Sequence, residues 1–521
     1  MKRGDAAEFG VQLLNVYFHG ADSYYSIGTF KWNGAGDGIR TRDINLGKVA
    51  LYQLSYSRPA GETLVSHGRR GVSKFETSRA SQSHRKIIHL VTVFGIHTGM
   101  KPNFPVTLFA LFLCVFGAHA ADPIETWPQW RGPQRTGLAP GGAWPDRLDG
   151  VRQLWRVELD KGYSGAIVSA DSVFVFETAG GDTELVRSLD RRTGKELWRA
   201  SWPGKISVPF YAKRSGDWVR STPAFHGDTL YVGGMEEVLV ALDAKTGKER
   251  WRVDFPKRFK TPKPDFGFAS SALVDGAHLY VQAANSIVKL DAKTGAMIWR
   301  KLEHGDGVME SGAFSSPVLA KIAGQRQLLV QTRTHLHGLN PETGTDLWAQ
   351  MVPNFRGMNI LTPVVHGDSI FTSTYQNDSY LFQVSANGTG GFEVKELWRN
   401  KAKGYMSTPV IHGGMAYLHL ANQRFTCIDL KTGETRWTST PFGRYWSMAL
   451  RGDKILALDE NGTAHLVRTN AERFELLDSK ELTKSEAWGH VAIAGNELFI
   501  RELTAITAYR WHGGLAAEAT K

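Results

Sequence analysis

Only a few residues of this 521-residue sequence have the types and spacing that chemistry would need. Four candidates, Arg220, Tyr405, Trp446 and Trp488, stand at corresponding places near the start of a short small-residue strand in four of the repeats. An aromatic ring can stack on another ring or on a sugar, and a guanidinium can hold an anion. These four residues are therefore the sequence's candidates for binding a ligand.

The sequence offers little else for catalysis or for a metal. Glu310 and Asn359 could give an ion two oxygen ligands, which is a weak signal. Lys161, Asp265 and His490 stand near the same places and could act as further charged groups. We predict no catalytic residue and no metal site.

Three histidines recur at one turn of the repeat, namely His226, His366 and His412. No pair of histidines has the spacing that puts two metal ligands on one face of a helix. We interpret the recurring histidines as turn or packing residues.

A repeated hairpin must position the candidates. In its clearest copy, Ala241–Trp251, an apolar run ends in Asp, two residues precede Thr-Gly, and a Trp follows. Asp can accept hydrogen bonds from backbone N–H groups two residues on, and Gly supplies the positive φ that the loop needs. Further copies run over 189–198, 290–299, 339–348 and 428–437. Copies at regular intervals indicate a repeat architecture.

Each repeat contains four short strands within roughly 40–50 residues, which is typical of a propeller blade. Eight second strands can be counted, at 172–176, 229–232, 278–281, 327–330, 369–372, 415–418, 454–458 and 497–500. We therefore predict an all-β fold, an eight-bladed β-propeller of four-stranded antiparallel blades over residues 151–513.

The last unit has only three strands, and residues 153–158 have the sequence of its missing fourth strand. Pairing the two ends would close the ring and remove an open sheet edge. The seventh unit has lost the Thr-Gly motif, so a propeller of seven blades is the alternative.

The two ends of the chain lie outside the repeats. Residues 100–120 combine a Lys, an apolar run and Ala-His-Ala, which is the pattern of a signal peptide cleaved near Ala120. Residues 38–56 resemble the antisense translation of a transfer-RNA gene, so we interpret 1–99 as a spurious or disordered extension and Met100 as the start. Residues 121–150, rich in Gly and Pro, should form an arm laid over the fold, and 514–521 a tail.

The formal net charge of +11 comes mostly from the leader, because residues 1–120 hold 14 Lys or Arg and 7 Asp or Glu, which leaves 48 and 44 for the remainder. A nucleic-acid partner is therefore not indicated. Cleavage near Ala120 would leave Cys427 as the single cysteine, and hence no internal disulfide.

The Asp-x-x-Thr-Gly-x-x-x-Trp hairpins resemble the pyrroloquinoline-quinone-like repeats of the quinoprotein-type β-propellers over about residues 154–511. That family contains quinone-dependent alcohol and glucose dehydrogenases and also non-enzymatic scaffolds, notably the propeller of the outer-membrane barrel-assembly machinery. The resemblance implies that the tryptophans of the motif dock neighbouring blades. Here that role falls on Trp155, Trp198, Trp251, Trp299, Trp348, Trp398 and Trp437.

Two departures from the dehydrogenases bear on the cofactor. Those enzymes carry adjacent cysteines beside the quinone, whereas only Cys427 remains here. A quinone with three carboxylates would need several cations and a Ca²⁺, and Arg220 is the single cation at the aligned positions. We expect no cofactor, with pyrroloquinoline quinone and calcium as the alternative.

The sequence thus predicts an exported, monomeric β-propeller that acts as a protein-binding or scaffolding module of the cell envelope. It would be periplasmic or secreted, not an integral membrane protein, with an envelope protein or peptide as its partner. One alternative is a periplasmic quinone-dependent oxidoreductase. Another is a carbohydrate- or peptide-binding propeller that uses Tyr405, Tyr445, Trp446 and Trp488 as stacking platforms.

Overall fold

Eight four-stranded antiparallel sheets form the part of the chain that the computed structural model describes, residues 125–305 and 311–512. They are the blades of an eight-bladed β-propeller, so the predicted fold class is confirmed. Residues 446–481 form a complete seventh blade, which excludes the seven-bladed alternative. The predictions for 1–99, 100–120, 121–124, Glu310 and 514–521 concern residues outside the described ranges.

Within blades 1 to 7 the strands pair in chain order, and in blade 8 the strand β1 from the start of the repeats pairs with β32. Blades 1 to 4 contain β2 (Ile167–Val168), β3 (Ser172–Ala179), β4 (Thr183–Asp190) and β5 (Glu196–Pro203); β6 (Ala224–His226), β7 (Thr229–Gly233), β8 (Val238–Asp243) and β9 (Glu249–Asp254); β10 (Leu273–Asp275), β11 (His278–Ala283), β12 (Ser286–Asp291) and β13 (Met297–Lys301); and β14 (Val318–Ile322), β15 (Gln325–Gln331), β16 (His335–Leu339) and β17 (Asp346–Met351).

Blades 5 to 8 continue the pattern. They contain β18 (Val364–His366), β19 (Ser369–Ser373), β20 (Ser379–Ala386) and β21 (Phe392–Asn400); β22 (Val410–His412), β23 (Met415–His419), β24 (Arg424–Asp429) and β25 (Thr435–Pro441); β26 (Trp446–Arg451), β27 (Lys454–Asp459), β28 (Thr463–Arg468) and β29 (Glu475–Glu481); and β30 (Ala492–Ala494), β31 (Glu497–Glu502), β32 (Ala505–Trp511) and β1 (Val151–Glu158).

First strands of neighbouring blades contact one another, as β2 does with β30 and β22 with β26, so the first strands line the centre of the ring. Two short helical segments lie in connections between blades, a 3-10 helix at Phe210–Ser215 and α1 at Phe255–Phe259. Within the described ranges, no helix has the length and apolarity needed to cross a membrane.

Strand β1 closes the ring. It pairs antiparallel with β32, from Val151 opposite Trp511 to Glu158 opposite Ala505, with one irregularity between Gln153 and Trp155. Blade 8 is therefore built from both ends of the repeat region, as the sequence predicted. The pairing covers the edge that β32 would otherwise present to other chains.

The Thr-Gly turn of blade 1 shows how one repeat meets the next. The Asp190 carboxylate accepts hydrogen bonds from the backbone N–H and the hydroxyl of Thr193, at 2.8 and 2.6 Å. Gly194 has φ +73°, and a Cβ there would lie 2.8 Å from the ring of Trp155. The Trp155 indole N–H donates to the Arg191 carbonyl at 3.0 Å. Glycine is thus required by both the turn conformation and the covering indole.

Five more seams between blades have a tryptophan on the fourth strand that donates its indole N–H to a backbone carbonyl in the next blade's turn. These donor–acceptor pairs are Trp198 with Ala244 (3.0 Å), Trp251 with Ala292 (3.2 Å), Trp299 with Glu342 (3.1 Å), Trp398 with Leu430 (2.8 Å) and Trp437 with Asn470 (2.7 Å).

Trp348 differs from these six tryptophans. Its indole donates to the Gln327 side-chain oxygen of its own blade, at 2.7 Å. Blade 5 carries the loop 387–391 in place of the Thr-Gly turn, so no such turn faces Trp348. Trp348 is still buried between blades, where it packs in one cluster with Ile370 and Tyr380.

Hydroxyl groups explain the small residues that begin the first strands. Along five successive seams a backbone N–H of one blade donates to a Ser or Thr hydroxyl of the next: Gly165 to Thr222, Thr222 to Ser271, Ser271 to Ser316, Ser316 to Thr362, and Thr362 to Thr408, at 3.0–3.3 Å. Because these groups are buried, their hydrogen bonds satisfy polar atoms that water cannot reach. The hydroxyls therefore hold the inner ring together.

Candidate functional site

Four aromatic side chains form a stacked collar at the channel mouth, where the chain enters the first strands. Tyr163 stacks on Trp488 with 5.1 Å between ring centroids, and Trp488 stacks on Tyr445 at 6.1 Å. Trp218 meets the edge of Tyr163 at 5.9 Å, and the Lys161 ammonium lies 4.8 Å above the Trp218 ring. The Trp488 ring is therefore engaged by two tyrosines of the collar.

Arg220 lies beside this collar, half-buried. Its guanidinium donates to the Gly216 carbonyl at 2.7 Å, within the connection between blades 1 and 2. Burial lowers the pKa of Arg220 to about 10, with Tyr163 and Asp217 acting in the opposite direction. The side chain stabilises its own loop.

Tyr405 stands apart from the collar. Its ring packs against Tyr375 at 4.9 Å, and Tyr375 belongs to the hairpin between β19 and β20. Burial raises the pKa of Tyr405 to about 12, whereas the nearby Arg444 and Arg214 lower it. The structure thus does not bring Tyr405 together with Trp488.

Trp446 does not lie at the channel mouth. It is fully buried, with an exposed fraction of 0%, and its ring is stacked between His419 at 5.1 Å and His465 at 5.3 Å. Successive side chains of a strand point to opposite sides. Since Trp446 is the first residue of β26, Tyr445 reaches the collar and Trp446 enters the packing between blades 6 and 7. The prediction that Trp446 offers a binding surface is corrected accordingly.

The remaining candidates are also held by the protein itself. The Asn359 side chain is buried and donates to the Thr332 carbonyl at 3.2 Å. His490 is buried against Trp127 and Trp130, and burial lowers its pKa to about 3. Glu310, the possible partner of Asn359, lies outside the described residues.

The arm occupies the central channel, which the sequence analysis missed. Trp127 forms a two-way backbone bridge with Val168 at the end of β2, at 2.8 and 2.9 Å. Phe225 of β6 donates its N–H to the Pro128 carbonyl at 2.7 Å. Farther along, Ala139 donates its N–H to the carbonyl of Leu450 in β26 at 2.8 Å. Because the first strands line the centre, a segment paired with three of them lies inside the ring.

Two arginines of the arm reach opposite walls of the channel. Arg131 donates to the Pro409 carbonyl before β22 at 2.6 Å, and Arg135 donates to the Ala272 carbonyl before β10 at 2.7 Å. Both guanidiniums lie over the Trp130 ring, at 5.7 and 5.6 Å from its centroid. Burial lowers the pKa of each arginine to about 9.

The sequence did contain a signal for this arrangement. Trp-Pro-Gln-Trp-Arg-Gly-Pro-Gln-Arg, residues 127–135, places two tryptophans, two arginines and two prolines in nine positions. The sequence pattern predicts only an arm laid over the fold. The burial of these side chains inside depends on contacts with strands more than 100 residues away, such as Arg135 with Ala272.

A quinone with carboxylates fits this channel poorly. It would need an open aromatic face and guanidiniums free to bind carboxylates. Trp488 already stacks with Tyr163 and Tyr445, and Arg131, Arg135 and Arg220 donate to backbone carbonyls, which leaves their Nε atoms as the groups without a partner among the described residues. In the described part of the chain, no three His, Cys, Asp or Glu side chains are grouped as a metal site would require.

Comparison with known proteins shows which family the repeats resemble. A family model described as outer membrane protein assembly factor BamB matches residues 181–439. The repeats of this β-propeller are similar to those of the pyrroloquinoline-quinone-like family. BamB of Yersinia pestis is 23% identical over 263 residues, which are 46% of this chain and 61% of that protein.

Quinone-dependent enzymes are relatives of this propeller as well. The dehydrogenase subunit of the quinone alcohol dehydrogenase of Gluconacetobacter polyoxogenes is 28% identical over 190 residues, 34% of this chain and 24% of that protein. The chain therefore spans less than two thirds of both relatives. The crystal structure of BamB from Moraxella catarrhalis superimposes with a TM-score of 0.50 at 16% identity, covering 71% of this chain and 99% of that one, and supports the fold alone.

Proposed function

We propose that this propeller is a protein-binding or scaffolding module of the cell envelope, exported and periplasmic or secreted. The observation that carries the proposal is the arm inside the central channel. Residues 127–139 pair with inner strands there, and the collar packs its rings on one another at the mouth. With the centre filled by the chain itself, the outer surfaces are what the protein offers to a partner.

The relatives add support of a general kind. The matching family model and the Yersinia relative are named for outer-membrane protein assembly. The chain spans 61% of that relative, so a role in outer-membrane protein assembly is part of the proposal for this chain.

A quinone-dependent oxidoreductase is the second candidate. The relationship to the alcohol dehydrogenase favours it, and so do the two extra cations, Arg131 and Arg135, which the structure brings into the channel. The poor fit of the channel to a quinone weighs against it.

A thermal melt separates the two candidates. A ligand that binds only the folded state at 100-fold over its dissociation constant adds about 2.7 kcal/mol to the free energy of unfolding. We expect pyrroloquinoline quinone with Ca²⁺ to leave the melting temperature unchanged. An upward shift that Arg220→Ala abolishes, together with dye-linked alcohol oxidation, would put the oxidoreductase first.

The scaffold itself is tested by site-specific photo-crosslinking in the native envelope. A crosslinking residue is placed at Phe210, 78% exposed on the mouth side, and in a matched variant at Leu476, 41% exposed on β29 at the rim. We expect one of the two positions to capture a single envelope protein reproducibly. Failure of both positions, with no partner in a cross-linked pull-down, would contradict the proposal.

A further inference from the structure

A cleft of about 430 Å³ lies at the end of the ring opposite the collar. Tyr445 of the collar precedes β26, whereas Leu450, Arg451 and Gly452, at the other end of that strand, line the cleft. The remaining walls are Leu138 and Ala139 of the arm and the first hairpins of blades 5 and 6. This volume is in the range of small-molecule sites.

The floor of the cleft is apolar and rigid. Leu138 is 44% exposed, yet the backbone on both sides of it is fixed. Leu450 donates its N–H to the Gly137 carbonyl at 2.8 Å, and Ala139 donates to the Leu450 carbonyl at 2.8 Å. These hydrogen bonds fix the position of Leu138, which lines the cleft together with Ile411 and Leu450.

The polar groups of the cleft are donors of hydrogen bonds. His366 and His412 stand exposed at its edge, each at the end of a first strand. Arg451 is 3% exposed, and its Nε atom has no hydrogen-bond partner among the described residues. No carboxylate is among the residues that line the cleft.

The nearest carboxylates do not line the cleft. Asp368 accepts the Ala323 N–H at 2.7 Å, and Asp453 pairs with Arg468. Glu125 lies 3.5 Å from the Arg451 guanidinium and pairs with it, while a terminal nitrogen of Arg451 donates to the Gly495 carbonyl at 2.8 Å. The lining residues themselves therefore offer an anion with an apolar body hydrogen-bond donors and no carboxylate.

We propose that this cleft binds a small amphiphilic carboxylate, with its alkyl chain on Leu138, Ile411 and Leu450 and its carboxylate toward His366, His412 and Arg451. Imidazole and guanidinium N–H groups bind a carboxylate through charge-assisted hydrogen bonds, which are stronger than neutral ones. This site lies outside the channel and does not depend on the scaffold proposal.

The repeats supply matched controls. His226 occupies the same turn in blade 2, is exposed, and is not part of the cleft. Leu197 is 52% exposed on β5 of blade 1, also away from the cleft. Variants at these two positions change the same residue types without touching the site.

The test is a saturation-transfer NMR titration of octanoate against the purified protein, with 1-octanol as the ligand that lacks the carboxylate. We expect saturable binding of octanoate that is about tenfold tighter than binding of 1-octanol. The double variant His366→Ala/His412→Ala should weaken octanoate binding by about tenfold as well, and Leu138→Glu should abolish it through like-charge repulsion. His226→Ala and Leu197→Glu should bind as the unmodified protein does.

Several results would overturn the inference. They are an absence of saturation with octanoate, equal binding of octanoate and 1-octanol, or equal losses in the cleft variants and their controls. Binding of N-acetyl-Leu-Leu without binding of octanoate would overturn the assignment of an alkyl chain to the apolar floor, in favour of the C-terminus of a peptide. Melting temperatures of all variants establish that each is folded, so a loss of binding reports on the cleft itself.

Discussion

The seam between blades 2 and 3 and the seam between blades 4 and 5 start from the same motif and end with different contacts. Trp251 donates to the Ala292 carbonyl and covers Gly295, both in the next blade's turn. Trp348 donates to Gln327 in its own blade, because blade 5 has a different loop there. The docking of a tryptophan is therefore a property of two adjacent repeats and not of the motif that carries it.

The seam that closes the ring should be the most sensitive to change. Deleting residues 151–159 removes β1 and with it Trp155, so β32 becomes an open edge and the turn of blade 1 loses its cover. We expect aggregated or poorly folded protein in size-exclusion chromatography and circular dichroism. A soluble monomer with the native spectrum would show that the ring closes without this strand.

Trp251→Ala should have the next largest effect, a loss of roughly 3–5 kcal/mol in the free energy of unfolding, as for other large aromatics removed from packed sites. Denaturant titration measures it, and an unchanged midpoint would contradict the role of Trp251 in the seam.

A second substitution sharpens this test. A Cβ at Gly295 would lie 2.6 Å from the Trp251 ring. Gly295→Ala should therefore cost less in the Trp251→Ala background than alone, which a double-mutant cycle reveals. Gly388→Ala, in the loop that replaces the turn in blade 5, meets no atom within 4 Å and is the control.

Gln327→Leu should destabilise the protein by about 1–3 kcal/mol, because it leaves the buried indole N–H of Trp348 without an acceptor. At the six seams where the tryptophan reaches the next blade, the acceptor is a backbone carbonyl, which no side-chain substitution removes. Gln350→Leu is the control, since the half-buried Gln350 side chain donates only to the neighbouring Met351 carbonyl, in a hydrogen bond that is exposed to solvent. Equal midpoints for the two variants would mean that Trp348 is held by packing alone.

The two seams should also differ in pH dependence. Glu237 of blade 2 accepts the Ala284 N–H of blade 3 at 2.8 Å, and burial raises its pKa from 4.5 to about 7. Its contribution to stability is full below about pH 4.5 and is lost as the pH rises through 7. In blade 4 the corresponding hairpin carries Arg333 in place of a carboxylate, and its guanidinium donates to the carbonyls of Ser311 and Gly357.

Glu237→Gln measures that difference. The stability of the unmodified protein relative to this variant should fall between pH 4.5 and 8, with a slope of at most about 1.4 kcal/mol per pH unit. The other buried titratable groups are present in both proteins, so their contributions cancel in the difference in stability. A difference between the two proteins that stays flat across this pH range would contradict the prediction.

Much of the fold followed from local patterns in the sequence. The Asp190–Gly194 turn is made by hydrogen bonds within five residues, and strand alternation is likewise local, so the blade count and the eight second strands could be predicted. Closure of the ring could also be predicted, because the last repeat lacks its fourth strand and an unpaired strand of the right sequence stands before the first repeat.

The candidate site was predicted less well. An alignment of the repeats gives the position of a residue along its strand, but it does not give the direction in which the side chain points. Tyr445 and Trp446 are neighbours in sequence, yet one joins the collar and the other is buried between His419 and His465. The collar itself joins residues from different blades, such as Tyr163 and Trp488.

The sequence by itself determined the strands, the turns and the order of the blades, because these depend on residues a few positions apart. The tertiary structure decided the acceptor of Trp348, the filling of the channel by the arm and the placing of Arg131 and Arg135 against blades 6 and 3. Those outcomes rest on contacts such as Arg131 with Pro409, which are 278 residues apart, and such contacts exist only once the ring has closed.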